Sequence, residues 1–271
     1  MDAKRVLFIT TEITPYLPET EISTIGRYLP QGIQDKGKEI RTFVPKFGNI
    51  NERRNQLHEV IRLSGMNLII NDTDHPLIIK VASIQSARMQ IYFIDNEDFF
   101  QRRNMLVDDD GAEFEDNDER SIFYVRGVME TVKKLRWVPD LIHCHGWMTA
   151  LAPLYIKKHY KGDPCFKNSK VVYSIYNDDF KIPFRESFSK KLKIEGVTNN
   201  DLKGIKENPD FEAVLKLAID FSDGVIQGSE SINPNLISYI EGKDNLPFLS
   251  YQSPEIYVDK YNDFYDSILT K

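Results

Sequence analysis

The apolar positions at the start of the chain predict a β-α-β unit. Residues 5–11 read RVLFITT, an almost unbroken apolar run that is typical of a strand buried on both faces of a parallel sheet. Between residues 22 and 33, isoleucine and leucine recur at helical spacing, and Pro30 within this stripe predicts that the helix is kinked or split. Residues 39–45, EIRTFVP, predict the next strand, reached by a right-handed connection.

The rest of the pattern predicts α/β architecture. Residues 57–90 look like short strands separated by turns, one of them at the Asp-His-Pro tripeptide of residues 74–76, so we expect a β-rich insertion. From residue 118 onward, helical and strand patterns alternate regularly, which indicates a single Rossmann-like, doubly wound parallel sheet. We expect an amphipathic helix over about 254–269 and a single domain over residues 1–271.

Composition and charge narrow the classes of function. Of the 271 residues, 41% are hydrophobic and 28% are charged, and the net charge is −6. Such a chain has no broad positive field for nucleic acid, and no stretch of about 18 apolar residues predicts a membrane span. The two cysteines form no C-x-x-C pair, and the first residues do not read as a secretion signal. We therefore expect a cytoplasmic protein that binds neither nucleic acid nor membrane.

Two charged segments are predicted to be solvated surface. Residues 107–119 are strongly acidic, but their consecutive aspartates lack the alternation that a calcium-binding EF-hand loop requires. We expect a solvated loop whose negative charges favour the start of the following helix. Residues 181–193 contain several basic side chains, which are diluted by neighbouring acids.

The segment at residues 140–151, DLIHCHGWMTAL, has the most distinctive side chains. On a strand, His143 and His145 share one face while Cys144 points to the other. These residues do not supply the three or four ligands of a zinc site, so we expect no metal. Ligands of doubly wound sheets bind beyond the carboxyl ends of the strands, where His145 lies. The pattern alone leaves two readings open: contact of His145 with a ligand, or two hydrogen-bonded histidines inside the core.

Five segments, in the same order, resemble segments of the bacterial glycogen synthases and plant starch synthases. Residues 139–153 are similar to their P-D-x-x-H-x-H-D-W-x-x-x-L-x-P segment, and residues 4–16 to their opening K-x-x-x-x-x-x-S-E-x-x-P-[FY] segment. Residues 116–131 resemble D-N-x-x-R-F-x-x-F-x-x-A-x-x-E, and residues 171–177 resemble a segment with T-x-H-N. Residues 213–230 resemble N-x-[LM]-K-x-[GA]-I-x-x-[AS]-D-x-V-x-T-V-S. Five ordered matches are more specific than any single motif.

The resemblance implies a fold and a reaction. Members of this family transfer glucose from ADP-glucose to an α-1,4-glucan with retention of configuration, and two Rossmann-like domains form their glycosyltransferase-B fold. This chain resembles the amino-terminal half, which mostly handles the glucan. If active, it is therefore a retaining glycosyltransferase that needs no cofactor or metal. His145 is the candidate for a catalytic role, and the candidates for glucan contact are Glu12, Tyr16, Asp116, Asn117, His145 and Asn177.

The sequence departs from the family where the nucleotide should bind. The family's K-x-G-G-L loop places a lysine and bare backbone near the phosphates. In this chain Pro18 occupies the position of the lysine, and Thr20 and Glu21 occupy the positions of the two glycines. Glu19 adds a second acidic side chain. Because acids repel a diphosphate, we expect a degenerate nucleotide loop and no autonomous catalysis.

The resemblance leaves three functions open. The first is an active glucosyltransferase that needs a partner chain to supply the donor domain. The second is a glucan-binding or regulatory module that keeps the acceptor face. The third is an interaction protein that forms a homodimer or binds a partner protein through its exposed inter-domain face. A nicotinamide-binding Rossmann protein is a poorer alternative, because no G-x-G-x-x-G follows the first strand.

Overall fold

The computed structural model describes residues 3–270. Its strands are β1 (Arg5–Ile9), β2 (Glu39–Pro45), β3 (His58–Glu59), β4 (Met66–Ile70), β5 (Thr73–Ile84), β6 (Met89–Asp95), β7 (Leu141–His145), β8 (Lys170–Ile175), β9 (Gly224–Gln227) and β10 (Phe248–Leu249). Its α-helices are α1 (Glu21–Asp35), α2 (Glu97–Phe100), α3 (Asn117–Leu135), α4 (Leu151–Lys157), α5 (Phe188–Lys191), α6 (Phe211–Asp220), α7 (Pro234–Glu241) and α8 (Tyr257–Leu269).

The strands form one mixed sheet. Strands β10, β9, β8, β7, β1, β2 and β6 follow one another in that order and run parallel. Strand β5 runs antiparallel to β6, and β3 and β4 both pair with β5. The predicted α/β fold with a β-rich insertion is therefore confirmed. Because the parallel strands end at the same edge, the residues that follow β1, β7, β8 and β9 lie side by side there.

The two faces of the sheet are covered by different helices. Along β1, Leu7 and Ile9 point into a large core that also contains residues of α3, α4 and α6. Val6 and Phe8 point into a smaller core formed with α1 and α8. This alternation explains the unbroken apolar run at the start of the chain, since each strand face meets a different helical layer.

The sequence predicted a kink or a split at Pro30; helix α1 runs through Pro30 from Glu21 to Asp35, so it is not split. Leu29 and Ile33 lie on either side of the proline and are both fully buried, and their packing holds the helical path despite the missing hydrogen bond. The helix starts with a capping box, in which Thr20 Oγ1 accepts the Ser23 N–H at 3.0 Å and Ser23 Oγ accepts the Thr20 N–H at 2.8 Å.

The turn predicted at residues 74–76 is also wrong, since these residues lie within β5. The hairpin between β4 and β5 turns instead at Asn71 and Asp72, which both have positive φ angles (49° and 62°). Asparagine and aspartate tolerate this conformation, which two-residue hairpin turns require. His75 and Leu77 are buried, so the inward-facing pattern of β5 continues past the proline.

Helix α8 packs beside α1 on the smaller core. Tyr261, Tyr265 and Ile268 are buried there, and the Tyr265 hydroxyl lies 2.5 Å from Nδ1 of His143. The end of the described chain is thus tied to the middle of the sheet. None of the helices within residues 3–270 is long and apolar enough to cross a membrane.

Candidate functional site

The carboxyl edge of the sheet brings together residues that follow four parallel strands. Glu12 follows β1, Gly146 follows β7, Asp178 follows β8 and Ser229 follows β9. The amino-terminal end of α1 lies against the same edge. Its residue Ile22 is next to Gly146, since a Cβ atom placed on Gly146 would lie 3.3 Å from Ile22 Cδ1. We call this arrangement the strand-end centre.

Carboxylates without cationic partners line the α1 side of the strand-end centre. Thr20 Oγ1 donates to Glu12 Oε2 at 2.6 Å, and the Ser229 hydroxyl donates to Glu21. Burial raises the pKa of the Glu12 carboxyl above its usual range. Among residues 3–270, no lysine, arginine or histidine forms an ion pair with Glu12, Glu19 or Glu21. The positive end of α1 therefore faces acidic side chains of the same molecule.

His145 is closed off from solvent. Only 1% of its surface is exposed, and its Nδ1 lies 2.8 Å from the Tyr176 hydroxyl. Its Nε2 has no hydrogen-bond partner within the described residues, and burial lowers the pKa of the imidazole to about 3. The ring of His143 lies 3.8 Å away between centroids and is bonded on both sides, by Tyr265 and by Ser174 Oγ at 2.7 Å. Both imidazoles are therefore neutral at physiological pH.

Asp178 fills the space in front of Gly146. A Cβ atom at residue 146 would lie 2.6 Å from Asp178 Oδ2, so no side chain fits there without displacing the carboxylate. The same oxygen accepts the N–H of Trp147 at 3.0 Å, while Oδ1 is excluded from solvent and unpaired within residues 3–270. Burial raises the pKa of this carboxyl to about 7.

The six predicted glucan contacts lie in three places. Glu12, His145 and Asn177 lie at the strand-end centre, where Asn177 is exposed and its N–H donates to Ser229 Oγ at 3.0 Å. Asp116 and Asn117 lie farther along the same edge, at the start of α3. Tyr16 is buried, with its ring 5.1 Å from that of Phe93.

Asp116 and Asn117 are both engaged in contacts within the chain. Asp116 pairs with both terminal nitrogens of Arg102, one at 2.6 Å. Asn117 accepts a hydrogen bond from Nη1 of the fully buried Arg120 at 2.6 Å and donates to the Leu106 carbonyl at 2.8 Å. Asn117 therefore orders the loop before α3, and it also borders an open groove.

This groove has a volume of about 440 Å³ and lies between the acidic loop and the segment that follows β8. The rings of Phe180 and Phe184 stack at 4.4 Å, and Ile182 is 62% exposed. We call it the Phe114 groove; its lining residues are Asp108, Ala112, Glu113, Phe114, Glu115, Asn117, Phe180, Ile182, Pro183, Phe184 and Arg185.

The acidic loop is not simply solvated, contrary to our expectation. The Glu113 carboxylate accepts the backbone N–H groups of Lys181 and Ile182 at 2.8 and 3.1 Å, and Glu115 pairs with Arg185 at 2.5 Å. These bonds fasten the two walls of the Phe114 groove to each other. Carboxylates and amides that meet only in the tertiary structure cannot be paired from local sequence.

The basic segment is likewise only partly solvated. Lys191 is nearly buried and forms ion pairs with Asp118 and Glu119 of α3 at 2.6 and 2.8 Å. Burial raises the pKa of the Asp118 carboxyl, against the opposing effect of Lys191.

Among residues 3–270, no three histidine, cysteine, aspartate or glutamate side chains are grouped as a metal site would require.

Comparison with known proteins identifies the family. The family model for the starch synthase catalytic domain matches residues 5–249. The glycogen synthase of Chlorobaculum parvum is 30% identical over 236 residues, which are 86% of this chain and 47% of that protein. The chain belongs to the starch synthase catalytic domain family. The predicted resemblance is thus confirmed.

Other members of the starch synthase family show the same partial coverage. The glycogen synthase of Chlorobium limicola is 35% identical over 174 residues, covering 64% of this chain and 36% of that protein. The chain thus spans less than half the length of the glycogen synthases it matches. The catalytic domain of starch synthase IV from Arabidopsis thaliana, bound to ADP and acarbose, has a TM-score of 0.71 at 16% identity, over 93% of this chain and 52% of that chain. That likeness shows a common fold.

Two departures from the starch synthase motifs are compensated in space. Gly146 replaces the aspartate of H-x-H-D-W, and the Asp178 carboxylate occupies the space that a side chain at 146 would need. Tyr176 replaces the histidine of T-x-H-N, and Gly228 replaces the valine of T-V-S. A Cβ at residue 228 would lie 2.6 Å from Tyr176 Cε1, so the larger ring requires the smaller partner. Asp178 was not among the predicted site residues. The two aspartates that directly follow a predicted strand, Asp178 and Asp179, are the sequence feature that could have indicated it.

The pairing of Tyr176 with Gly228 predicts a measurable coupling. We expect Gly228→Ala to lower the free energy of unfolding by about 2 kcal/mol, because the added methyl overpacks against the tyrosine ring. In a Tyr176→His background the ring is shorter, so the same change should cost at least about 1 kcal/mol less. Some cost remains, because the Cβ also lies 2.9 Å from the Ile175 carbonyl oxygen. Urea unfolding of the four proteins measures the coupling, and strictly additive costs would contradict it.

The raised pKa of Asp178 predicts a dependence of stability on pH. Between pH 3.8 and 7 the folded protein keeps a proton on Asp178 that the unfolded chain releases, so this contribution to stability is lost as the pH rises. Asp178→Asn removes the titration and still accepts the Trp147 N–H. From pH 5 to pH 8 the variant should gain about 1–3 kcal/mol in unfolding free energy relative to the unmodified protein. Exposed Asp179→Asn is the control, and stability–pH curves that run parallel for Asp178→Asn would contradict the assignment.

Proposed function

We propose that this chain binds an α-1,4-glucan in the Phe114 groove and does not itself transfer glucose from a nucleotide sugar. The observation that supports the second half most directly is the closure of the strand-end centre. His145 is 1% exposed beneath Tyr176, and the Asp178 carboxylate fills the space beside it at Gly146. A sugar that must react at His145 would first have to displace both side chains.

The charges at the amino-terminal end of α1 support the same half of the proposal. A diphosphate needs positive charge or free backbone N–H groups at a helix start. Here Glu19 and Glu21 stand there, and the Thr20 hydroxyl already caps the helix and bonds Glu12. Two like charges about 4 Å apart repel by about 4 kcal/mol at an effective dielectric constant of about 20. ADP-glucose is therefore a poor ligand for this surface.

The lining of the Phe114 groove supports the first half. Its volume of about 440 Å³ lies in the range of small-molecule sites. Half-buried Phe184 and exposed Ile182 offer apolar surface for the faces of sugar rings, and Asp108 and Glu115 offer oxygens that accept hydrogen bonds from hydroxyl groups. Phe180 is buried against Phe184, and the Phe114 ring is covered by the guanidinium groups of Arg102 and Arg120, which lie 4.7 and 5.3 Å from its centroid. The catalytic domain of starch synthase IV from Arabidopsis thaliana was bound to ADP and acarbose. Of these two kinds of ligand, we propose the carbohydrate, and not the nucleotide, for this groove.

Calorimetric titration tests glucan binding. We expect maltoheptaose to bind and ADP-glucose to give no heat at millimolar concentration. Ile182→Ser removes exposed apolar surface from the groove and should weaken maltoheptaose binding about threefold to tenfold, equivalent to about 1 kcal/mol. The matched control is Ile61→Ser, whose side chain is 82% exposed on the β-rich insertion and should leave the affinity unchanged.

Two results would contradict the proposal. One is the absence of maltoheptaose binding to the unmodified chain. The other is incorporation of radioactive glucose from ADP-glucose into a glucan primer by the purified chain alone. Incorporation that appears only after a second polypeptide is added would instead support the partner-dependent transferase considered from the sequence. Formation of a homodimer, or binding of a partner protein, through the exposed inter-domain face stays a prediction. Sedimentation at two protein concentrations tests it.

A further inference from the structure

A second groove lies beside the first turns of α1 and shares no lining residue with the Phe114 groove. It has a volume of about 430 Å³ and is formed between the first turns of α1 and the segment that leads into α8. Glu19, Thr20 and Glu21 also belong to the α1 side of the strand-end centre, whereas the other lining residues take no part in either site described above. We call it the Tyr251 groove; its lining residues are Glu19, Thr20, Glu21, Thr24, Ile25, Tyr251, Gln252, Pro254 and Tyr257.

Two tyrosine rings supply much of the wall. Tyr251 and Tyr257 are both half-buried, and neither hydroxyl takes part in a hydrogen bond within residues 3–270. The Tyr257 ring is held edge-on by Tyr261, with 5.8 Å between the centroids, so its orientation is fixed by the smaller core. Both rings line the cavity, and that of Tyr257 is held in place by its contact with Tyr261.

The charge around the groove is negative only. Glu19 and Glu21 line it, and no lysine or arginine is among the lining residues. Burial and then the charges of Glu21, Glu230 and Glu255 raise the pKa of the Tyr251 hydroxyl. In the part of the chain that the structure describes, none of the four glutamates is ion-paired. The carboxylates of Glu19 and Glu21 therefore disfavour an anion in the groove and attract a cation.

We propose that the Tyr251 groove binds a small alkylammonium ion between the rings of Tyr251 and Tyr257, with Glu19 and Glu21 balancing its charge. Aromatic faces attract cations through their quadrupole, and partial desolvation in a cavity strengthens the attraction. A neutral sugar would gain hydrogen bonds at this site but would leave the carboxylate charges unbalanced. The proposal is independent of glucan binding in the Phe114 groove.

A titration with isosteric probes followed by NMR tests the role of charge. Choline carries a quaternary ammonium group, and 3,3-dimethylbutan-1-ol has the same shape without the charge. We expect choline to bind one site at millimolar or lower concentration and to shift the ring signals of Tyr251 and Tyr257. The neutral probe should bind at least about fivefold more weakly, which corresponds to about 1 kcal/mol of cation–π attraction.

Three variants distinguish the contributions of the Tyr251 ring and the Glu21 carboxylate to choline affinity from that of the protein's overall negative charge. Tyr251→Phe keeps the ring and should bind choline as before, whereas Tyr251→Leu should lose about fivefold in affinity. Glu21→Gln keeps the acceptor for Ser229 and should lose about threefold. Exposed Glu241→Gln on α7 is the charge-matched control and should change nothing.

The proposal is overturned if choline shifts neither tyrosine, if both probes bind equally, or if Tyr251→Leu binds choline as well as Tyr251→Phe does. It is also overturned if maltoheptaose, rather than choline, shifts these signals, since the groove would then belong to a sugar site. Loss of maltoheptaose binding with choline binding retained would count against the proposed function alone.

Discussion

Burial of His145 beneath Tyr176 is the constraint on which the interpretation of this structure depends. In a doubly wound sheet the carboxyl ends of the central strands are the default place for a ligand. Here that place is packed with side chains of the chain itself: the imidazoles of His143 and His145, which are in contact but tilted by 41°, the Tyr176 ring and the Asp178 carboxylate. Burial keeps both histidines neutral and makes the Asp178 carboxyl hard to ionise. Chemistry at this centre would require these groups to separate.

Because the centre is closed, we propose ligand binding in the two grooves beside it. The Phe114 groove and the Tyr251 groove are both open, and they differ in character. The first combines stacked phenylalanines with a loop fastened by Glu113, and the second combines tyrosines with unpaired glutamates. The same family fold thus presents two surfaces of different chemical preference once its centre is closed.

The sequence predicted the architecture well because the architecture depends on local periodicity. The buried run of β1, the alternation after residue 118 and the β-rich insertion all follow from apolar spacing that one segment shows by itself. The errors arose where packing between distant segments decides. Helix α1 continues through Pro30 because Leu29 and Ile33 are buried in the core. Lys191 is nearly buried because it forms ion pairs with Asp118 and Glu119.

The sequence predicted the position of the candidate site at the carboxyl edge of the sheet, but not that side chains of the chain itself close it. The strand pattern placed His145 at the carboxyl end of its strand, where it lies, and the structure brings Glu12 and Asn177 to the same edge of the sheet. Spacing could not show that Asp178 replaces the side chain missing at Gly146, or that Tyr176 and Gly228 change size together, because both relations exist only across strands.

The protonation of His145, followed by nitrogen-edited NMR with and without ADP, tests the closure of the centre most directly. A closed centre predicts a neutral imidazole throughout pH 5–8, with signals that do not change when millimolar ADP is added. Titration of His145 near its ordinary pKa of about 6.5, or a shift on addition of ADP, would contradict it.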